Sequence, residues 1–165
     1  MPPVTAYIGL GSNLNDPASQ IETALSEIDQ VPQTQVTRAS SFYWSAPVGY
    51  RDQPDFVNAV AEVNTELAPR ALLDRLLDIE RAHGRVRTFP NAPRPLDLDV
   101  LLYGDRVIDE PGLSVPHSRL HERAFVVVPL AEIAPEALIP GRGRARDLLR
   151  GVDAASVQRQ DSGRR

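Results

Sequence analysis

Arg94-Pro95-Leu96-Asp97-Leu98-Asp99-Val100-Leu101-Leu102-Tyr103 places two carboxylates two residues apart inside an apolar run of strand formers. Successive side chains of a strand alternate faces, so Asp97 and Asp99 point the same way with roughly 6 to 7 Å between their Cα atoms. At an effective dielectric of about 20, two anions that close repel by about 3 kcal/mol, and the pair calls for a counter-charge. A divalent cation that accepts hard oxygen ligands and keeps positions for water and phosphate fits, which points to Mg²⁺. The same pattern also fits the solvated face of an edge strand.

Working outward, the preceding stretch Arg81-Ala82-His83-Gly84-Arg85-Val86-Arg87-Thr88-Phe89-Pro90-Asn91-Ala92-Pro93-Arg94 carries four arginines and no acid. Downstream, Asp105, Asp109 and Glu110 face only Arg106. A basic loop feeding an acidic strand is the layout for holding a polyphosphate between guanidinium forks and metal ions. A salt-bridge network between loop and strand uses the same residues.

At 165 residues the chain fits one domain with a core of ordinary size. A net charge of -4 argues against general affinity for nucleic acid or anionic membrane, so any basic patch is local and its polyanion small. The absence of cysteine excludes disulfides, thiolate zinc sites and a thiol nucleophile together. No apolar segment approaches membrane-spanning length and no secretory leader is legible at the N-terminus, so a cytoplasmic location is expected.

Val4 to Leu10 reads as a strand that stops at Gly11-Ser12-Asn13, and Asp16-Pro17 supplies an N-cap and first helical residue for a helix to about Asp29. Gly9-x-Gly11 lacks the third glycine of a dinucleotide fingerprint, and no acidic residue ends a second parallel strand at the expected distance. Gln33 to Trp44 and Phe56 to Leu67 read as strands joined by a loop at 45–55, and Pro69 opens a helix that Gly84 closes. Helices are also expected over 122–134 and 145–150. The order β-α-β-β-α-β indicates an α+β fold, a ferredoxin-like α/β sandwich with a mostly antiparallel sheet. One domain is expected over residues 1–153, and a flexible polar tail over 154–165.

Before the 122–134 helix, Val115-Pro116-His117-Ser118-Arg119-Leu120-His121-Glu122-Arg123-Ala124-Phe125 gathers two histidines, two arginines and an aromatic. His117 and His121 stand four apart like a helical zinc pair, yet Ser118 occupies the place of the glutamate such a site needs. Donation to phosphate oxygens suits these residues, as does an ordinary polar helix start. Gly9-Leu10-Gly11-Ser12-Asn13-Leu14, Gln53 through Ala59, Glu80 with Gly84-Arg85-Val86-Arg87, Pro93 through Asp99 and Val115 through Phe125 together resemble the 6-hydroxymethyl-7,8-dihydropterin pyrophosphokinases of folate biosynthesis. The resemblance covers residues 4 to about 150 in five motifs.

The resemblance implies transfer of the β,γ-diphosphate of MgATP to the pterin hydroxymethyl group, with release of AMP. ATP and 6-hydroxymethyl-7,8-dihydropterin are then the partners, and no obligate protein partner is evident. By the same resemblance Asp97 and Asp99 hold two Mg²⁺ ions, and Arg85, Arg94, His117 and Arg123 contact ATP phosphates, with Arg94 in a loop that closes over the site. Arg85, Arg94, Asp97 and Asp99 are the implied catalytic set. Phe56 and Phe125 sandwich the pterin ring, Asn58 with Ser45, Ala46 and Val48 reads its polar edge, and Glu80 organises the adenosine side. The chain departs from the family in its arginine loop, which lacks the usual Arg-Trp pair and is one residue shorter, and in Leu77, where some members carry a polar residue. A non-catalytic nucleotide-sensing module on the same scaffold is the competing expectation.

Overall fold

The computed structural model describes residues 3–47, 52–84 and 95–160. Along the chain run β1 (Val4–Ser12), α1 (Pro17–Asp29), β2 (Thr34–Ala39), β3 (Tyr43–Ser45), β4 (Phe56–Thr65), α2 (Pro69–Ala82) and β5 (Asp97–Tyr103). Then follow β6 (Ile108–Glu110), β7 (Leu113–Val115), α3 (Ala124–Ile133), β8 (Leu138–Ile139), β9 (Gly143–Arg144), α4 (Ala145–Leu148) and β10 (Val157–Arg159). Six strands form one sheet in the order β10-β3-β4-β1-β5, with β2 also on β4, and every pairing in it is antiparallel. The fold is thus α+β, helices on an antiparallel sheet.

β1 is the spine. It pairs with β4 from Val4↔Thr65 to Ser12↔Val57 and with β5 from Ala6↔Tyr103 to Gly11↔Asp97. Alternation along these strands splits the apolar residues into two layers. Ile8, Leu10, Val57, Ala59, Leu98 and Val100 pack with Ile21, Ala24 and Ile28 of α1 and Leu72, Leu76 and Ile79 of α2 in the main core. On the other face Tyr7, Val60, Leu101 and Leu102 pack with Val126, Val127, Leu130 and Ile133 of α3. Beyond that cluster, the same face carries Gly9, Gly11, Asn58, Asp97 and Asp99, and a cavity lies over them.

Several local expectations change. Gln33 to Trp44 is two strands, because Ser40 leaves the ladder: its N–H donates to Val60 O and its Oγ accepts from the Val60 N–H, each at 2.9 Å. Asp16 does not cap α1 through its side chain. It sits at φ 62 in the left-handed region, and its carboxylate accepts from Ser19 Oγ at 3.0 Å. A 3-10 turn at Leu120–Glu122 precedes α3, which starts at Ala124 instead of 122, and α4 ends at Leu148 with a 3-10 turn at Leu149–Gly151. Within the stretch expected as a tail from 154, residues 154–160 carry a 3-10 turn at Ala154–Ser156 and the strand β10. Val157 buries against Tyr43 and Ala124, and Val157–Arg159 pairs with Tyr43–Ser45.

Glu132 of α3 fastens this corner. Its carboxylate accepts from the Ser41 N–H at 3.0 Å and from Ser41 Oγ and Tyr43 OH at 2.8 Å each, with Arg159 at 3.8 Å. Burial and then the Glu132 bond push the Tyr43 phenol up from 10.0 to about 12. Because that value is raised, the stabilisation is complete below pH 10 and is lost as pH rises through 12. Glu132→Ala is expected to lower the unfolding free energy in urea by about 2 to 3 kcal/mol. An ultraviolet titration should show the Tyr43 midpoint moving back towards 10.

Candidate active site

Asp97 and Asp99 project from β5 half-buried, while Leu98 and Val100 between and beyond them turn into the main core. Across the ladder Asp97 faces Gly11 and Asp99 faces Gly9, so no side chain stands opposite either carboxylate on β1. Space is tight at Gly11, where an added Cβ would stand 3.3 Å from Asn58 Oδ1, which would have to give by a few tenths of an ångström, and 3.9 Å from Phe56 Cδ1. A glycine row thus forms the floor between the carboxylates of β5 and the polar and aromatic side chains of β4.

On β4, Asn58 is buried and its Nδ2 donates to Ser45 Oγ on β3 at 2.7 Å, which leaves Oδ1 on the Gly11 side. Asn13, just past β1, donates through Nδ2 to Gln53 Oε1 at 2.8 Å and to Pro54 O at 3.1 Å, and so holds the segment leading into Phe56. From the opposite side, the start of α3 brings in Phe125, with the Arg123 guanidinium over its ring at 5.5 Å from the centroid. That placement is a cation–π contact, which keeps the ring face and the charge together.

One cavity therefore gathers Ser45, Ala46, Phe56, Asn58, Asp97, Asp99, Arg123 and Phe125, eight of the residues expected from sequence. His117 lies in an adjoining cavity with Leu73, Val100, Leu113, Ser114 and Ser118. Asp99 lines both. Glu80 lines neither; it is buried on α2, where its Oε2 accepts from the Leu98 N–H at 2.6 Å. Val48, Arg85 and Arg94 lie outside the described residues. Arg119, one of the two arginines before α3 that sequence reading takes as suited to phosphate, lines the first cavity. Sequence reading misses Leu73 and Ser114 of the second, and Leu73 looks like one more apolar residue of an amphipathic helix.

Among the described residues no group of three or more His, Cys, Asp and Glu side chains could hold a metal ion. Two carboxylates are the kind of donor set that suits Mg²⁺, which keeps water and binds substrate phosphates beside one or two protein carboxylates, better than an ion enclosed wholly by protein. His117 anchors the edge of β5 through its backbone N–H, which donates to Leu101 O at 3.1 Å. Its Nδ1 accepts from the Arg119 N–H at 3.2 Å, so the neutral ring carries its proton on Nε2, a tautomer assigned from this bond. Burial first, then the Arg123 charge, lower its pKa below the ordinary 6.5 against the pull of Asp97.

Residues 7–135 match the family described as 7,8-dihydro-6-hydroxymethylpterin-pyrophosphokinase (HPPK). The chain belongs to this family. It is 49% identical over 147 residues to the 2-amino-4-hydroxy-6-hydroxymethyldihydropteridine pyrophosphokinase of Haemophilus influenzae, covering 89% of this chain and 92% of that one. The Pseudomonas aeruginosa protein of the same name is 44% identical over 153 residues, with 93% and 94% covered. The fold is similar to the crystal structure of wild-type Plasmodium falciparum HPPK-DHPS, with a TM-score of 0.70 at 14% identity. That match covers 90% of this chain and 44% of the Plasmodium chain, so this chain spans less than half of that longer protein. As an HPPK, the protein is an ATP-dependent diphosphotransferase of folate biosynthesis that transfers diphosphate from ATP to 6-hydroxymethyl-7,8-dihydropterin and releases AMP. The competing expectation of a non-catalytic nucleotide sensor is not favoured by relatives named for the activity.

The lowered His117 value has a measurable consequence in the ligand-free protein. The unfolded chain takes up this proton first, so the stability His117 lends is present above pH 6.5 and falls as pH drops from there through the folded midpoint. NMR titration of the imidazole carbon-bound protons should give a midpoint below 6.5. Urea denaturation of His117→Asn should show a shallower loss of stability across that window than the parent.

Proposed function

We propose that the family reaction takes place where the two cavities meet, with Asp99 in the wall they share. That double lining is the observation supporting the assignment, since diphosphate transfer needs both substrates to reach one charged point. The pterin ring lies between Phe56 and Phe125, as a flat heterocycle favours two aromatic faces. Asn58 Oδ1, fixed by the bond from its Nδ2 to Ser45, accepts from the pterin edge beside Ala46 and Val48. The nucleotide enters from the side of His117, Leu73 and Ser114, and its phosphates meet Arg123, Arg119 and the Nε2–H of His117. Arg85 and Arg94 supply further guanidinium contacts, and Glu80 organises the nucleotide side.

Asp97 and Asp99 would hold two Mg²⁺ ions, which when bound neutralise the triphosphate and its developing charge. The pterin hydroxymethyl oxygen attacks the β-phosphorus as the bond to the oxygen bridging α and β breaks. The hydroxyl proton is released and AMP departs with the electron pair. Arginine charge over that bridging oxygen stabilises the leaving group, so positioning and charge neutralisation carry the catalysis. The scaffold is ferredoxin-like, one pyrophosphokinase domain over 1–153, acting in the cytoplasm without an obligate partner. With β2 and β3 taken as one strand broken at Ser40, the order from β1 to β5 is β-α-β-β-α-β, and this with the all-antiparallel sheet supports the first of these readings. No helix among the described residues is long and apolar enough to cross a membrane.

Asp99→Asn is expected to lower AMP formation about 100-fold or more at saturating substrates while calorimetry still detects pterin binding. Near-normal AMP release from this variant would sink the shared-wall assignment. Phe125→Ala should weaken pterin binding by about 1 to 3 kcal/mol with nucleotide affinity little changed. Gly11→Ala should also weaken pterin binding, because its methyl group would enter the space beside Asn58 Oδ1.

A further inference from the structure

Among the described residues β5 ends the sheet, with no strand beyond it to receive its outward backbone groups. Two other groups take that place. The His117 N–H serves Leu101 O, and the Glu80 carboxylate serves the Leu98 N–H at 2.6 Å. Leu98 is the residue between Asp97 and Asp99, and its own side chain is sealed in the main core.

Glu80 is 4% exposed, the one buried residue among the Asp, Glu and Arg described. A charge so placed is costly unless hydrogen-bonded, and a bond from a backbone amide to a carboxylate is of the strong, charge-assisted kind. The helix turn that carries Glu80 is fixed in its turn. His83, three residues on, has a side chain 8% exposed and bridges to Gln20 and to Glu27 Oε1 of α1, the latter at 2.5 Å. Its backbone N–H closes α2 on Ile79 O and Glu80 O. α1, α2 and β5 are thereby connected in a line that ends at the amide between the two aspartates.

We infer that Glu80 is a positioning residue for the metal carboxylates: it fixes the free edge of β5 so that Asp97 and Asp99 keep the separation a phosphate-bound cation requires. This deepens the reading of the site proposed above and rests on it. What Glu80 supplies at Leu98 is an acceptor in a fixed place, a role that a glutamine amide oxygen can fill and an alanine cannot. Removing such a supporting contact typically costs about 10-fold to 100-fold in metal affinity.

The test is Mn²⁺ binding to the ATP complex, followed by electron paramagnetic resonance, together with the NMR signal of the Leu98 amide. In the parent, that amide should be protected from exchange although it lies on a sheet edge. Glu80→Ala is expected to lose this protection and to weaken Mn²⁺ binding about tenfold or more, while Glu80→Gln retains both within about threefold. Loss of Leu98 protection in Glu80→Ala with Mn²⁺ affinity unchanged would overturn the inference. If the alanine variant does not fold, Glu80→Gln decides alone, since a protected Leu98 amide with Mn²⁺ affinity down about tenfold would show that charge and not position matters. Near-normal AMP formation by Asp99→Asn would count against the proposed site and leave the Leu98 amide and Mn²⁺ measurements on Glu80 standing as a separate test.

Discussion

Everything in this molecule hangs on the register of β1 against its two neighbours. Side chains alternate with period two, so a slip of β5 by one residue would turn Asp97 and Asp99 into the helical core and Leu98 and Val100 out into the site. The apolar layer formed with α1 and α2 forbids that slip. The carboxylates are therefore held in place by the burial of their neighbours, and the energy that folds the sheet is the same energy that orients the chemistry.

The two faces of the sheet do different work because the helices cover them unequally. α1 and α2 pack on one side, while α3 packs over Tyr7, Val60 and Leu101 on the other. Further along that second face the row runs from Tyr43 and Asn58 through Gly11 to Asp97. Side-chain volume falls to nothing at the glycine and returns as charge on β5. A flat ring and a polyanion call for opposite surroundings, one apolar and one ionic, and the glycine row is the single strand between them, which sets β4 and β5 about 10 Å apart.

How far the sequence reveals this depends on how local the cause is. The Asp97/Asp99 alternation, the proline-opened helices and the aromatic ahead of Asn58 are readable because a strand or helix period fixes them within a few residues. The break at Ser40 is not, because it depends on Val60, twenty residues on, taking up both the hydroxyl and the amide. Nor is β10, where a lone valine in a polar stretch docks on Tyr43. Glu80 was singled out from sequence only through family resemblance. Its contact with Leu98 spans two elements and the loop between them, and no periodicity encodes it. Arg119 and Leu73 join the cavities through the path of the 3-10 turn and the rotation of α2, both set by packing.

β1 starts at Val4, paired with Thr65, and reaches the site only at Gly9 and Gly11. Seven residues of extended chain separate Val4 from Gly11, roughly 24 Å at strand rise. A polypeptide joined upstream of Val4 would start at the opposite end of β1 from the cavity over Gly9 and Gly11, and would have to double back along the strand to obstruct it.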